Sequence, residues 1–331
     1  MFETSSIQLA TPAVIVASLP HLLGFHPRES LVALWMSGSE LVVVQRADLP
    51  ASPDGRSPDL CDYLEAYLAP AERLDSDGVV LVCVTRRMSL AREIFALLLE
   101  RIAVHVRGGF IADGSKVHDA MEPVGWMWIS TADRQNAAQV FASSSHSVAH
   151  APARDRAQVV SEVQFDPTLA SRAGSLVPRP ESVSELLQAM TRSPTRFMSD
   201  ARLIAGLGVH VVGRDALMWW AARLDPENRR ALLVSVLAAL RATPPGRAAH
   251  LACLGGAIAW MCGDGVRANA AVDRCLLEDP EHVLGRMLEA AMVSAVPPSS
   301  FVEMVQQIHA HVVGLDEGCV DGSVRGGYSR E

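Results

Sequence analysis

Five charged or ionisable side chains near the start of the chain could do chemistry: His26, Arg28 and Glu29, with Arg46 and Asp48 a hairpin's length downstream. Imidazole and carboxylate groups transfer protons, and a guanidinium grips an anion with two parallel hydrogen bonds. Three of the five lie in "LPHLLGFHPRESLVALW", residues 19–35, between two apolar runs. His21 and His26 are five residues apart across Gly24, a spacing that could bring two imidazoles to one metal. Only Glu29 or Asp48 could complete such a set, so the histidines are read as capping or core residues and no metal is expected. No catalytic residue is assigned, and no cofactor.

The elements that must position these residues are legible around them. Thr11 as N-cap with Pro12 behind it predicts a helix over 11–23, Gly24 stops it, and Pro27 forbids its resumption. Residues 30–36 and 41–47 are apolar or β-branched runs joined at Gly38-Ser39, a hairpin. Pairing about that turn sets residues 29–31 opposite 46–48, which crowds Arg28, Glu29, Arg46 and Asp48 at one end. Such a cluster is either an anion- or substrate-binding rim or a salt-bridged hairpin end, and the second reading is preferred because surface ion pairs are common and individually weak.

Further along, "DLCDYLEAYLAPAERL" has helical spacing, "DGVVLVCVT" (77–85) reads as a central strand buried on both faces, and 89–104 reads as a helix capped by Ser89. "HVRGGFIAD", an Asp113-Gly114 turn and "VGWMWIS" (124–130) complete a mixed sheet. Residues 1–141 are therefore expected to form an α/β domain with a β-hairpin. Residues 142–180 read as a linker or loosely packed connection, and 314–331 as a disordered tail. Residues 181–313 read as an all-α domain with helices at 181–192, 213–224, 226–242, 246–262, 265–278, 281–295 and 299–313. Within it, Gly256, Ala259, Gly263, Ala268, Cys275 and Pro280 match the small residues and closing proline of a tetratricopeptide-like helix pair. One copy at that period makes a helical hairpin in a bundle, since a solenoid needs about three repeats.

Composition and missing motifs exclude several functions. The chain has 331 residues, 49% hydrophobic and 20% charged, with a formal net charge of −8 that argues against nucleic acid as a partner. The proline-broken N-terminal run makes neither a signal peptide nor a membrane span. The six cysteines, Cys61, Cys83, Cys253, Cys262, Cys275 and Cys319, form no C-x-x-C pair and no recognisable zinc spacing, which places the chain in a reducing cytoplasm. "GGFIADGSK" (108–116) lacks the Gly-Lys pair and following helix of a phosphate loop, and "GLGVHVVG" (206–213) lacks the third glycine of a dinucleotide fingerprint. Trp126, Trp128, Trp219, Trp220 and Trp260 sit in apolar segments, where core or domain-interface packing is expected.

"TPAVIVASLPHLLGFHPRESLVAL", then "RADLP", then "CGDGVRANAAVDRCLLEDPEHVLGRMLEAAMVSAVPP" resemble the domain-of-unknown-function family 4192 of actinobacteria, in the same order over roughly residues 10–298. "EPVGWMWIS" stands where that family has a longer Trp-rich stretch. The resemblance implies a bacterial cytosolic protein and carries over no reaction, cofactor or site residue. The function expected from all this is a non-enzymatic scaffold that binds a protein partner or a second copy of itself. The alternative is a small-ligand-binding protein or enzyme built on residues 21–30 with Arg46 and Asp48.

Overall fold

The computed structural model describes residues 11–50, 59–122, 125–142, 152–172, 192–193 and 200–307. Helix α1 (Pro12–Leu23) begins where the Thr11 hydroxyl accepts from the Val14 N–H, and ends at Gly24, whose φ of +76° is a left-handed cap. The chain then enters a six-stranded sheet ordered β2-β1-β3-β4-β5-β6. Strands β1 (Ser30–Ser37) and β2 (Glu40–Asp48) form the hairpin, with Ser30 opposite Asp48 and Val32 opposite Arg46. Strand β3 (Gly78–Val84) pairs antiparallel to β1 on its other side, and helix α2 (Leu60–Leu68) lies between β2 and β3 in the chain.

Helix α3 (Met88–Arg101) is the crossover that lets β4 (His105–Ala112) lie parallel to β3. Its cap differs from the expected Ser89. The helix starts one residue earlier, and the Thr85 hydroxyl accepts from the Arg87 N–H in the turn that leaves β3. Strand β5 (Lys116–Asp119) folds back on β4 through the Asp113-Gly114 turn, which confirms that the glycine-rich stretch leads into a strand. Strand β6 is only Met127–Trp128, an edge, and it leaves Trp126 and Trp128 41% and 68% exposed rather than in the core; Lys116 covers the Trp128 ring at 4.2 Å.

The two faces of the sheet bury alternate residues of the same strands. Val32, Leu34, Val82 and Val84 pack under α1 and helix α4 (Thr131–Ala142), while Leu31, Ala33, Leu81 and Cys83 pack under α2 and α3. Helix α4 carries no apolar stripe, with Ala137 the buried side chain among those described over 131–140, so it left no periodic signal in the sequence.

Residues 152–172, inside the span read as a connection, are tied to both halves. The Ala153 N–H donates to Gly24 O at 2.8 Å, and His26 N–H donates to Ala153 O at 3.0 Å. The short helices α5 (Arg156–Ser161) and α6 (Pro167–Arg172) follow. Val159 belongs to the core beneath α1, and Val163, four residues on, belongs to the helical core.

That second core gathers α7 (Ala201–Gly208), α8 (Val211–Arg223), α9 (Pro226–Ala242), α10 (Ala249–Met261), α11 (Gly265–Glu278), α12 (Val283–Val293) and α13 (298–307). Most of the 181–192 helix expected from the sequence, and the tail from 314, fall outside the described residues. Helix α10 is buried on every side from Leu251 to Met261, the pattern of a helix enclosed by others. It meets α11 most closely at Gly256, where an added Cβ would lie 2.7 Å from Val272 Cγ2 and 3.2 Å from Ala268 O. Because one of those atoms is backbone, Gly256→Ala is expected to cost about 1–3 kcal/mol of stability, read as a lower denaturation midpoint at unchanged slope.

Candidate functional site

The two parallel strands end side by side, held by Thr85 N–H donating to Ala112 O at 2.8 Å. In an open α/β sheet a ligand crevice forms outside the carboxyl ends of such strands. Here that position is a cavity of about 730 Å³. Its walls come from six places along the chain: His21 from the last turn of α1; His26, Arg28 and Glu29 from the corner after it; Thr85 and Arg86 from the end of β3; Asp113 and Gly114 from the β4–β5 turn; Arg134 from α4; and Arg154 from the 152–172 segment.

The cavity is basic although the chain as a whole is acidic. Four guanidiniums and two imidazoles face two carboxylates, and both carboxylates are engaged within the protein. Asp113 accepts from the N–H groups of Ser115 and Lys116 at 3.0 and 2.9 Å, which together with the Ser115 hydroxyl outweigh its partial desolvation and hold its carboxyl below the usual range. Glu29 accepts from the Thr85 hydroxyl at 3.0 Å and pairs with Arg87 at 2.7 Å. Arg134 donates from its guanidinium to Gly114 O at 3.0 Å, which holds that group against the turn. Among the described residues Arg28 and Arg86 have no ion-pair partner. Desolvation, followed by the charge of His26, lowers the His21 pKa; desolvation, then Arg134 and Arg28, lowers that of His26. Both rings therefore favour the neutral form at pH 7.

Glu29 has φ of +43°, a left-handed conformation that a residue with a Cβ adopts only at a cost of about 1–3 kcal/mol. Leu49 N–H donating to Glu29 O at 2.8 Å, with the Thr85 and Arg87 contacts, holds it there. The strain turns the Glu29 carboxylate toward the end of β3 and away from the hairpin partner.

The five sequence candidates consequently separate. His26, Arg28 and Glu29 line the basic cavity, whereas Arg46 and Asp48 lie on a second cavity of about 840 Å³ between the hairpin and the α10–α11 turn. Arg46 donates to Ser30 Oγ at 3.0 and 2.8 Å, pairs with Asp48, and sits 5.6 Å over the Phe25 ring. The hairpin end is thus crowded as its register requires, but its ion pairs are Arg46–Asp48 and Glu29–Arg87. Sequence reasoning missed Arg86, Arg134 and Arg154. The one available signal was the Arg86-Arg87 pair directly after a doubly buried strand.

No described helix is long and apolar enough to cross a membrane. No curated protein and no solved structure matches the chain. A family model described as "Domain of unknown function (DUF4192)" matches residues 12–122 and 128–299.

Proposed function

The chain belongs to the DUF4192 family, whose description assigns no activity, and on that premise we propose that it binds a small anionic metabolite in the basic cavity. The observation that supports this reading is the convergence of Arg28, Arg86, Arg134 and Arg154 on the carboxyl ends of β3 and β4, where the carboxylates are already engaged. The volume, about 730 Å³, falls in the range of small-molecule sites. A cytoplasmic setting suits such a ligand and suits the five described cysteines, all free thiols.

Calorimetric titration with inorganic pyrophosphate tests it. Saturable binding is expected, and Arg28→Ala or Arg134→Ala is each expected to weaken it roughly 10- to 100-fold, the worth of about 1.5–3 kcal/mol for one charge-assisted hydrogen bond. Binding that neither substitution changes would sink the proposal.

The same site has a pH signature. With folded pKa values below the ordinary 6.5, His21 and His26 bind fewer protons folded than unfolded, so the ligand-free protein loses stability as pH falls through that value. An anion in the cavity opposes the depression. Affinity for sulfate, whose own charge is constant over the range, is expected to rise from pH 7.5 to 5.5, with proton uptake on binding visible in buffers of different ionisation enthalpy.

A second reading, a tetratricopeptide-like scaffold for a protein partner or second copy, draws on one observation. Leu277, Val283 and Met287, close in sequence around the α11–α12 junction, stand 80%, 73% and 57% exposed. Size-exclusion chromatography with light scattering, comparing the chain with Leu277→Glu, distinguishes self-association from a monomer.

A further inference from the structure

We propose a metal site inside the helical half, formed by Cys253 of α10, Cys275 of α11 and His282, the N-cap of α12, and selective for a thiophilic cation such as zinc. In sequence these residues show no zinc spacing. The fold brings the two sulfurs and one imidazole nitrogen within 4.8 Å of one another, all three residues buried. In a tetrahedral zinc site with bonds of about 2.0–2.3 Å, ligand atoms stand roughly 3.3–3.8 Å apart, so occupancy asks for a contraction of at most about 1–1.5 Å.

Three independent features support ligation over plain core packing. The first is the donor chemistry, two thiols and an imidazole, which is the soft set that selects zinc or copper(I) over calcium or magnesium. The second is the outer partner. His282 Nε2 lies 2.7 Å from His250 Nδ1, one helical turn before Cys253 on the same face of α10. His282 Nδ1 accepts from the Gly285 N–H at 3.0 Å, and the Nε2 side of the ring is held by His250 and by the Arg214 guanidinium, 3.2 Å away. A ligating histidine is oriented by that kind of bond from its other nitrogen. The third is a cradle. A Cβ on Gly285 would sit 3.0 Å from Cys275 Sγ and 3.3 Å from His282 Nδ1, so a side chain there would fill the space the ligand atoms face.

Charge also balances. Hydrogen bonding to Cys275, then burial, pushes the Cys253 thiol up, so without a metal that sulfur keeps its proton. Zinc would displace both thiol protons to solvent and exchange the Gly285 N–H for itself at Nδ1, leaving a neutral dithiolate site beside the Arg214–Asp215 pair. The product is a staple between α10, α11 and the start of α12.

Cobalt(II) titration of the full chain, purified under reducing anaerobic conditions, tests this. The expected result is one equivalent bound, with tetrahedral visible bands and a thiolate-to-cobalt absorption of two-sulfur intensity that zinc abolishes. Cys275→Ala is expected to remove that absorption and Cys262→Ser, outside the cluster, to keep it. His282→Asn retains an N-cap acceptor and is expected to weaken binding at least 100-fold while the helices persist, which separates ligation from folding. The proposal fails if the wild-type chain shows no thiolate–cobalt absorption, if that absorption survives Cys275→Ala or disappears with Cys262→Ser, if His282→Asn binds as tightly as wild type, or if mass spectrometry finds a Cys253–Cys275 disulfide instead.

Discussion

Replacing Arg274 with alanine is expected to lower stability by about 3–5 kcal/mol, the scale for removing one partner of a buried ion pair. Arg274 on α11 is 3% exposed, and its guanidinium is fully committed. It donates to Val163 O at 2.5 Å, Leu240 O at 3.1 Å and Thr243 O at 3.0 Å, and pairs with Glu278 at 3.1 Å. Those carbonyls belong to the segment after α5 and to the end of α9, so one side chain ties two segment ends to α11. Glu278 extends the network by accepting from the N–H groups of Gly246 and Ala248 at 3.0 and 2.9 Å. Alanine leaves buried carbonyls without donors and a buried carboxylate without its cation. The measurement is urea unfolding followed by far-ultraviolet circular dichroism. A midpoint shift worth under about 1 kcal/mol would show that water replaces the guanidinium at no great cost.

Arg267→Ala is expected to cost a similar amount, about 3–5 kcal/mol, and to loosen the joint between the halves. Arg267 pairs with Asp264 at 2.6 Å and with Glu162 at 2.7 Å. Asp264 is itself buried and caps α11 by accepting from the Arg267 N–H, so its unpaired carboxylate would remain in the core. Glu162 lies on the segment whose Ala153 is bonded to Gly24, at the edge of the basic cavity. Loss of the pair should therefore raise amide exchange across 152–163 as well as lower the unfolding midpoint. A double-mutant cycle with Asp264→Ala should give a coupling of about 0.5–3 kcal/mol, as expected for residues in contact. Unchanged exchange in that segment would show that the α1–Ala153 bonds alone hold it.

The legible parts of this molecule are those governed by neighbours in sequence. Thr11, Pro12 and Gly24 bound α1 because caps act over three or four residues. Asp225 with Pro226, and Asp264 with Gly265, mark the starts of α9 and α11 for the same reason, and the Gly38 turn sets the hairpin register. Elements without a local signature were lost. Helix α4 spreads its apolar residues over no single stripe and α7 is eight residues with two glycines, whereas the strand expected over 124–130 is present but shrinks to Met127–Trp128.

The site followed the same division. Sequence alone placed His26, Arg28 and Glu29 at a corner between a helix and a strand, and Arg46 and Asp48 opposite its start, because each placement needs only a turn and a register. Which cavity each residue faces was decided by the fold. A left-handed Glu29 reaches the end of β3 instead of Arg46, and the pairing of β1 with β3 sets Arg86 near it. Arg134 and Arg154 arrive from more than 100 residues downstream, and Cys253, Cys275 and His282 meet only where three helices pack. Spacing along a chain determines contacts within a helical turn or a hairpin. Beyond that range the distance between two side chains is set by how buried faces stack, and only the packed structure contains that information.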